Sequence, residues 1–201
     1  EDDLIAAPRF LQFMNAALDH YQDEPRVMQI SGYLFPVRVE SDWAAFFLPF
    51  TTSWGWATWR RAWSHFDPSA AGHRVLKRDK ALRRAFDLEG AYPYYAMLES
   101  QLRGEIDSWA IRWYLSVFLR QGLVLYPPRT LIENIGFDGS GTHCGKRDAA
   151  PSRTADADPV IGEIEFPSQT LPSAFNQRAV TDFLRRSTSR GIVRKLRGLL
   201  R

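Results

Sequence analysis

Residues 109–126 read Trp109-Ala110-Ile111-Arg112-Trp113-Tyr114-Leu115-Ser116-Val117-Phe118-Leu119-Arg120-Gln121-Gly122-Leu123-Val124-Leu125-Tyr126, and two periodicities meet inside them. Over 109–121 the spacing predicts a helix: Trp109, Trp113 or Ile111, Leu115, Phe118 and Leu119 fill one broad apolar face. Gly122 stands where a left-handed C-cap would end it. The four apolar residues after it are too few for a helix, and Pro127-Pro128 stops them, so they predict a short buried strand. A helix feeding directly into a buried strand is the building unit of an α/β chain.

Working outward, the same alternation recurs. Upstream, Tyr92 to Arg103 predicts a helix that stops at Gly104, and Arg74 to Phe86 is charged and helical in composition. Trp56 to His65 predicts another helix, closed by Asp67-Pro68. Val27 to Gly32 and Phe46 to Pro49 predict two strands. Near the start, Phe10, Met14, Leu18 and Tyr21 recur at helical spacing after Pro8. Downstream, Leu131-Ile132 begins a further strand, residues 136–160 read as an exposed loop rich in Gly, Asp, Ser and Ala, and Ala174 to Arg201 is helical and basic.

Composition narrows the function classes. The chain has 201 residues, 45% hydrophobic and 24% charged, which suits a folded domain and excludes bulk disorder. A single cysteine, Cys144, excludes an intrachain disulfide framework. No apolar run reaches the ~18 to 20 residues that span a bilayer. The net charge of +3 is unevenly placed: residues 183–201 hold seven basic residues and no acid. The rest of the chain has 19 basic residues against 23 acidic ones.

Four segments carry candidate chemistry. Glu1-Asp2-Asp3 sets three carboxylates side by side, a pattern suited to a hard divalent cation, or simply to a solvated acidic terminus. Thr51-Thr52-Ser53-Trp54-Gly55-Trp56 opens a stretch in which four of the seven tryptophans fall within ten residues. Trp56, Trp59 and Trp63 suit an aromatic core helix, whereas Trp54 and Gly55 lie ahead of it and are the better site candidates. Glu105-Ile106-Asp107-Ser108 precedes the strongest helix; Asp107 is either its N-cap, with Ser108 as the other choice, or a general base. Asn134 to Gly145 contains Gly136, Gly139, Ser140, Gly141, His143 and Cys144, a surface loop or a phosphate cradle.

In this order the segments resemble a glycosyltransferase of the GT-A type. The similarity is to the catalytic part of N-acetylglucosaminyltransferase I-like enzymes and of family 2-like bacterial relatives, and it runs from Glu1 to about Gly145. The resemblance implies the C-terminal portion of a Rossmann-like α/β fold, with Asp3 as metal ligand and Mn²⁺ or Mg²⁺ as cofactor. Glu1, Asp2, Trp54, Gly55, Gly139, Ser140, Gly141 and His143 would bind the nucleotide sugar, and Asp107 would be the catalytic base. Ile106 stands where the family often has an aromatic residue. The family's nucleotide-binding half lies ahead of the metal motif, so a fragment of a longer transferase is expected, one that binds donor weakly by itself.

The implied division is a partial catalytic domain over 1–150, a linker over 151–173 and a basic helical tail over 174–201. The implied activity is inverting, metal-dependent transfer from a nucleotide-diphosphate sugar to a hydroxyl of a glycan or lipid-linked acceptor, in polysaccharide or glycoconjugate synthesis. No nucleic-acid partner is expected of it. A cytoplasmic location is expected, with peripheral contact at the inner membrane face through 183–201. Two alternatives stay open: a module that binds anionic membrane or nucleic acid through the basic tail, and a glycoside hydrolase using Glu105 or Asp107.

Overall fold

The computed structural model describes residues 3–135 and 164–199. They form a mixed α/β arrangement in the order β1 (Leu4–Ala6), α1 (Phe10–His20), β2 (Val27–Ser31), β3 (Phe46–Leu48), β4 (Trp56–Ala57), α2 (Arg60–Trp63), α3 (His73–Arg78), α4 (Lys80–Phe86), α5 (Tyr94–Leu102), α6 (Trp109–Leu119), β5 (Leu123–Tyr126), β6 (Ile132–Asn134) and α7 (Ala174–Leu199). The main sheet has the order β3-β5-β2-β4. Its centre, β2 with β5, is parallel, and β3 and β4 run antiparallel at its edges.

Every residue of β2, β3 and β5 is buried, as expected of strands covered on both faces. Met28, Phe46, Leu48, Val124 and Tyr126 face the core formed with α4, α5, α6 and the start of α7. Val27, Ile30, Phe47, Leu123 and Leu125 face α1, which contributes Phe13, Met14 and Ala17. An irregularity between Val27 and Gln29 pairs Val27 with Leu123 and Gln29 with Val124. The extra residue, Met28, packs in the same core that Gln29 reaches through Trp113.

Several elements depart from the sequence expectation, each for a local reason. Trp56 and Ala57 are not helical; they pair with Ser31 and Ile30 as an edge strand, and the helix begins only at Arg60. The Arg74–Phe86 helix is two helices, because the Asp79 carboxylate accepts from the N–H groups of Ala81 and Leu82 and caps a fresh start. The end of α6 is shifted by one residue: Gln121 takes the left-handed conformation (φ 53°), with its N–H on Phe118 O and that of Gly122 on Val117 O. Gly122 is required for a different reason, since a Cβ there would run into the Met28 side chain. Leu4–Ala6, next to the acidic triplet, forms a two-stranded ribbon with β6.

The segment 164–173 is strapped to the body. Glu165 bridges Ala44, Pro172 bridges Phe47, and Phe166 packs on Phe13, His20 and Tyr21. The first half of α7 is core: Val180 is fully buried, and Leu184 is 6% exposed. Leu184 therefore belongs to the interior and not to a membrane-facing stripe. Among the described residues no helix is long and apolar enough to cross a membrane.

Candidate functional site

Ligands of open α/β sheets sit outside the carboxyl ends of the parallel strands. Here that edge is assembled by glycines. Gly32, the first residue after β2, donates its N–H to Gly55 O at 2.7 Å and accepts at its own carbonyl from Leu131 N at 2.7 Å. The chain crossings are tight: a Cβ on Gly32 would meet the Phe10 ring and Gly55 O, and one on Gly55 (φ +53°) would meet Ile132. Two separate segments are thereby tied to the end of β2.

The first is the turn that carries Trp54. Its ring meets Tyr33 edge-on, with centroids 4.5 Å apart and planes at 70°. A buried polar web holds the turn. Gln29 donates to Thr52 O (2.6 Å) and accepts from the Trp113 indole (2.6 Å), while the hydroxyls of Ser31 and Thr52 lie 2.6 Å apart. The Tyr126 hydroxyl donates to Phe50 O nearby (2.9 Å).

Beside the turn lies a cavity of about 440 Å³, within the range of small-molecule sites. It is lined by Tyr33 and Phe35 after β2, by the 51–54 turn, and by residues of α5 and its approach, α6 and α7, among them Tyr94, Met97, Ile111, Tyr114 and Leu184. No charged side chain lines it. Burial pushes the Tyr33 phenol up to about 12 and raises those of Tyr94, Tyr114 and Tyr126, so all four stay protonated at neutral pH.

The second segment is the β1/β6 ribbon. Ala6 pairs with Ile132, and Asp3 lies three residues further out, about 10 Å at ~3.3 Å per residue. The Asn134 amide donates to the Asp3 carboxylate at 3.5 Å. Among the described residues no group of three or more His, Cys, Asp or Glu is placed to hold a metal ion. Asp3 offers a single carboxylate, which fits a Mg²⁺-like ion taking one or two carboxylates with substrate phosphates and water.

Asp107 lies two residues before α6, whose first turn contributes Ala110 and Ile111 to the cavity. Its carboxylate is 94% exposed and stands 3.8 Å from an Arg112 nitrogen. It is not the N-cap. Ser108 holds that position without a side-chain capping bond, and its N–H donates to the Gln101 side chain. Glu105 is engaged differently: Arg103 donates to both its oxygens, at 2.6 and 2.9 Å, and holds the carboxyl down at about 2. A group ionised at neutral pH is poorly suited to the proton-donor role of a hydrolase.

Trp54 and Gly55 thus share the carboxyl edge with the ribbon that carries Asp3, while Asp107 lies exposed ahead of α6 beside Arg112. Glu1, Asp2, Gly139, Ser140, Gly141 and His143 lie outside the described residues. The sequence reading missed Tyr33 and Phe35, although their place just after a strand-ending glycine was a usable signal. It also missed Tyr92, Tyr94 and Leu184. Of the rings expected to form an aromatic core, Trp56 packs partly buried on Trp109 at 5.2 Å and on the core ring of Trp113, whereas Trp63 touches the same group but is 39% exposed. No family model, curated protein or solved structure matches this chain.

Proposed function

We propose that the chain belongs to a metal-dependent, inverting glycosyltransferase of the GT-A type that moves a sugar from a nucleotide-diphosphate donor to an acceptor hydroxyl. One observation carries the proposal: the metal-motif ribbon, the Trp54-Gly55 turn and an uncharged aromatic cavity meet at the carboxyl edge of a parallel strand pair. That edge is the ligand position general to open α/β sheets, and the Asp3 segment precedes the Trp54-Gly55 segment as in the sequence resemblance.

In this mechanism Asp3 would contribute one carboxylate to hold a divalent ion. When bound, such an ion offsets negative charge on the departing nucleoside diphosphate. Trp54 and Tyr33 form an aromatic wall against which a sugar ring stacks. Asp107 takes the proton from the acceptor hydroxyl as that oxygen attacks the anomeric carbon from the face opposite the leaving group. Its exposure leaves it open to an incoming acceptor. Peripheral attachment at the inner membrane face belongs to the same proposal, and the basic residues of 185–201 are its support.

The polypeptide expressed from its complete reading frame, supplied with Mn²⁺ and a panel of nucleotide sugars, is expected to transfer label to acceptor. Asp3→Ala is expected to weaken Mn²⁺-dependent donor binding at least tenfold by calorimetry. Mn²⁺-dependent donor binding by Asp3→Ala as tight as that of the wild type removes Asp3 from the site.

A further inference from the structure

We infer that the 440 Å³ cavity binds a neutral glycoside with an apolar aglycone, its hydroxylated ring held by Tyr33 and Tyr94 and its aglycone lying against Met97, Ile111 and Leu184. Three observations lead there. The lining has no charge, so a nucleoside diphosphate would lose its hydration inside without compensation. Tyr33 is only 8% exposed, and its hydroxyl has no hydrogen-bond partner among the described residues; the same is true of the Tyr94 hydroxyl. The neighbouring phenols of Tyr114 and Tyr126 do have partners, on Phe86 O and Phe50 O.

Two phenols on the wall of a cavity that make no hydrogen bond to the described residues can donate to a ligand oxygen. Thr51 and Ser53 add small polar groups to the lining. Met97, Ile111 and Leu184, from three separate elements, α5, α6 and α7, add aliphatic surface beside the phenols. A free hexose would leave that surface unfilled, and a plain hydrocarbon would leave the phenols unpaired. A glycoside with an apolar aglycone meets both demands. In the proposed transferase this ligand is the acceptor, and only that identification rests on the transferase reading; the cavity itself is tested by binding alone.

The probe is monomeric n-octyl β-D-glucoside, titrated by calorimetry and tryptophan fluorescence against glucose and 1-octanol separately. One saturable site per chain is expected, with each half-ligand at least about tenfold weaker. Tyr33→Phe and Tyr94→Phe are each expected to weaken the glucoside about 3- to 10-fold, the value of one neutral hydrogen bond, and to leave octanol unchanged. Leu184→Trp is expected to fill the cavity and abolish binding. Leu184→Met, close in volume, is expected to retain it and to show that the helix still docks. Octanol or glucose binding as tightly as the glucoside, no saturable site, or unchanged binding in Leu184→Trp would each overturn the inference. A chain that binds the glucoside and transfers no sugar keeps the cavity assignment and loses the transferase.

Discussion

Gln29 is the residue on which the site's rigidity turns. It is fully buried in the central strand, and both ends of its amide are used. One end holds the turn that carries Trp54, and the other holds the indole of Trp113 on α6. Gln29→Leu keeps much of the volume and leaves the Thr52 carbonyl and the Trp113 N–H unpaired. Each such group costs about 1–3 kcal/mol, so a loss of about 2–4 kcal/mol is expected in urea unfolding. A loss below about 1 kcal/mol would mean that the two groups find other partners. The sequence offered no hint of this role, because one polar residue inside a Val-Met-Gln-Ile-Ser strand has no periodic signature.

At the scale of elements, the helix and strand at 109–126 were legible because apolar spacing and a terminating Gly-Leu-Val-Leu run agree. Boundaries set by hydrogen bonds between distant segments were not. Trp56-Ala57 has helical spacing with Trp59 and Trp63, yet pairing with β2 overrides it. Leu4–Ala6 is a strand only because Ile132–Asn134 returns to meet it, 126 or more residues later. The end of α6 shows the same limit more finely. The sequence marks Gly122 as the cap, but Gln121 bears the positive φ. Gln121→Gly is therefore expected to raise stability by about 0.5–1 kcal/mol by relieving the left-handed strain, read from the thermal midpoint. A lower midpoint would show that the Gln121 side chain contributes more than its backbone costs.

Taken as a whole, the molecule buries Tyr21, Tyr33, Tyr114 and Tyr126. Burial raises the phenols of Tyr21, Tyr33, Tyr94, Tyr114 and Tyr126 in the folded state. Below about pH 10, the ordinary tyrosine value, both folded and unfolded chains keep these protons and their contribution is intact. Above it the unfolded chain ionises first, so stability is expected to fall steadily from pH 10 through about 12, the range set by Tyr33. Urea midpoints at pH 8, 10 and 11 check this, and a flat profile would contradict it.

The α/β class was readable from alternation alone, and Asp3, Trp54, Gly55 and Asp107 were readable as candidates by residue type and order. The cavity was not, because its walls come from five stretches of chain that only tertiary packing unites. The tail was half legible: its basic face is plain in the sequence, but Val180 and Leu184 are anchors in the core.

The most direct measurement is sugar transfer by Asp107→Asn, compared with wild type, with donor binding measured on the same samples. Transfer is expected to fall about 10²- to 10⁴-fold, the usual contribution of a general base, while the donor dissociation constant stays within about twofold. Unchanged turnover in Asp107→Asn would contradict the assignment of Asp107 as the base and the mechanism built on it.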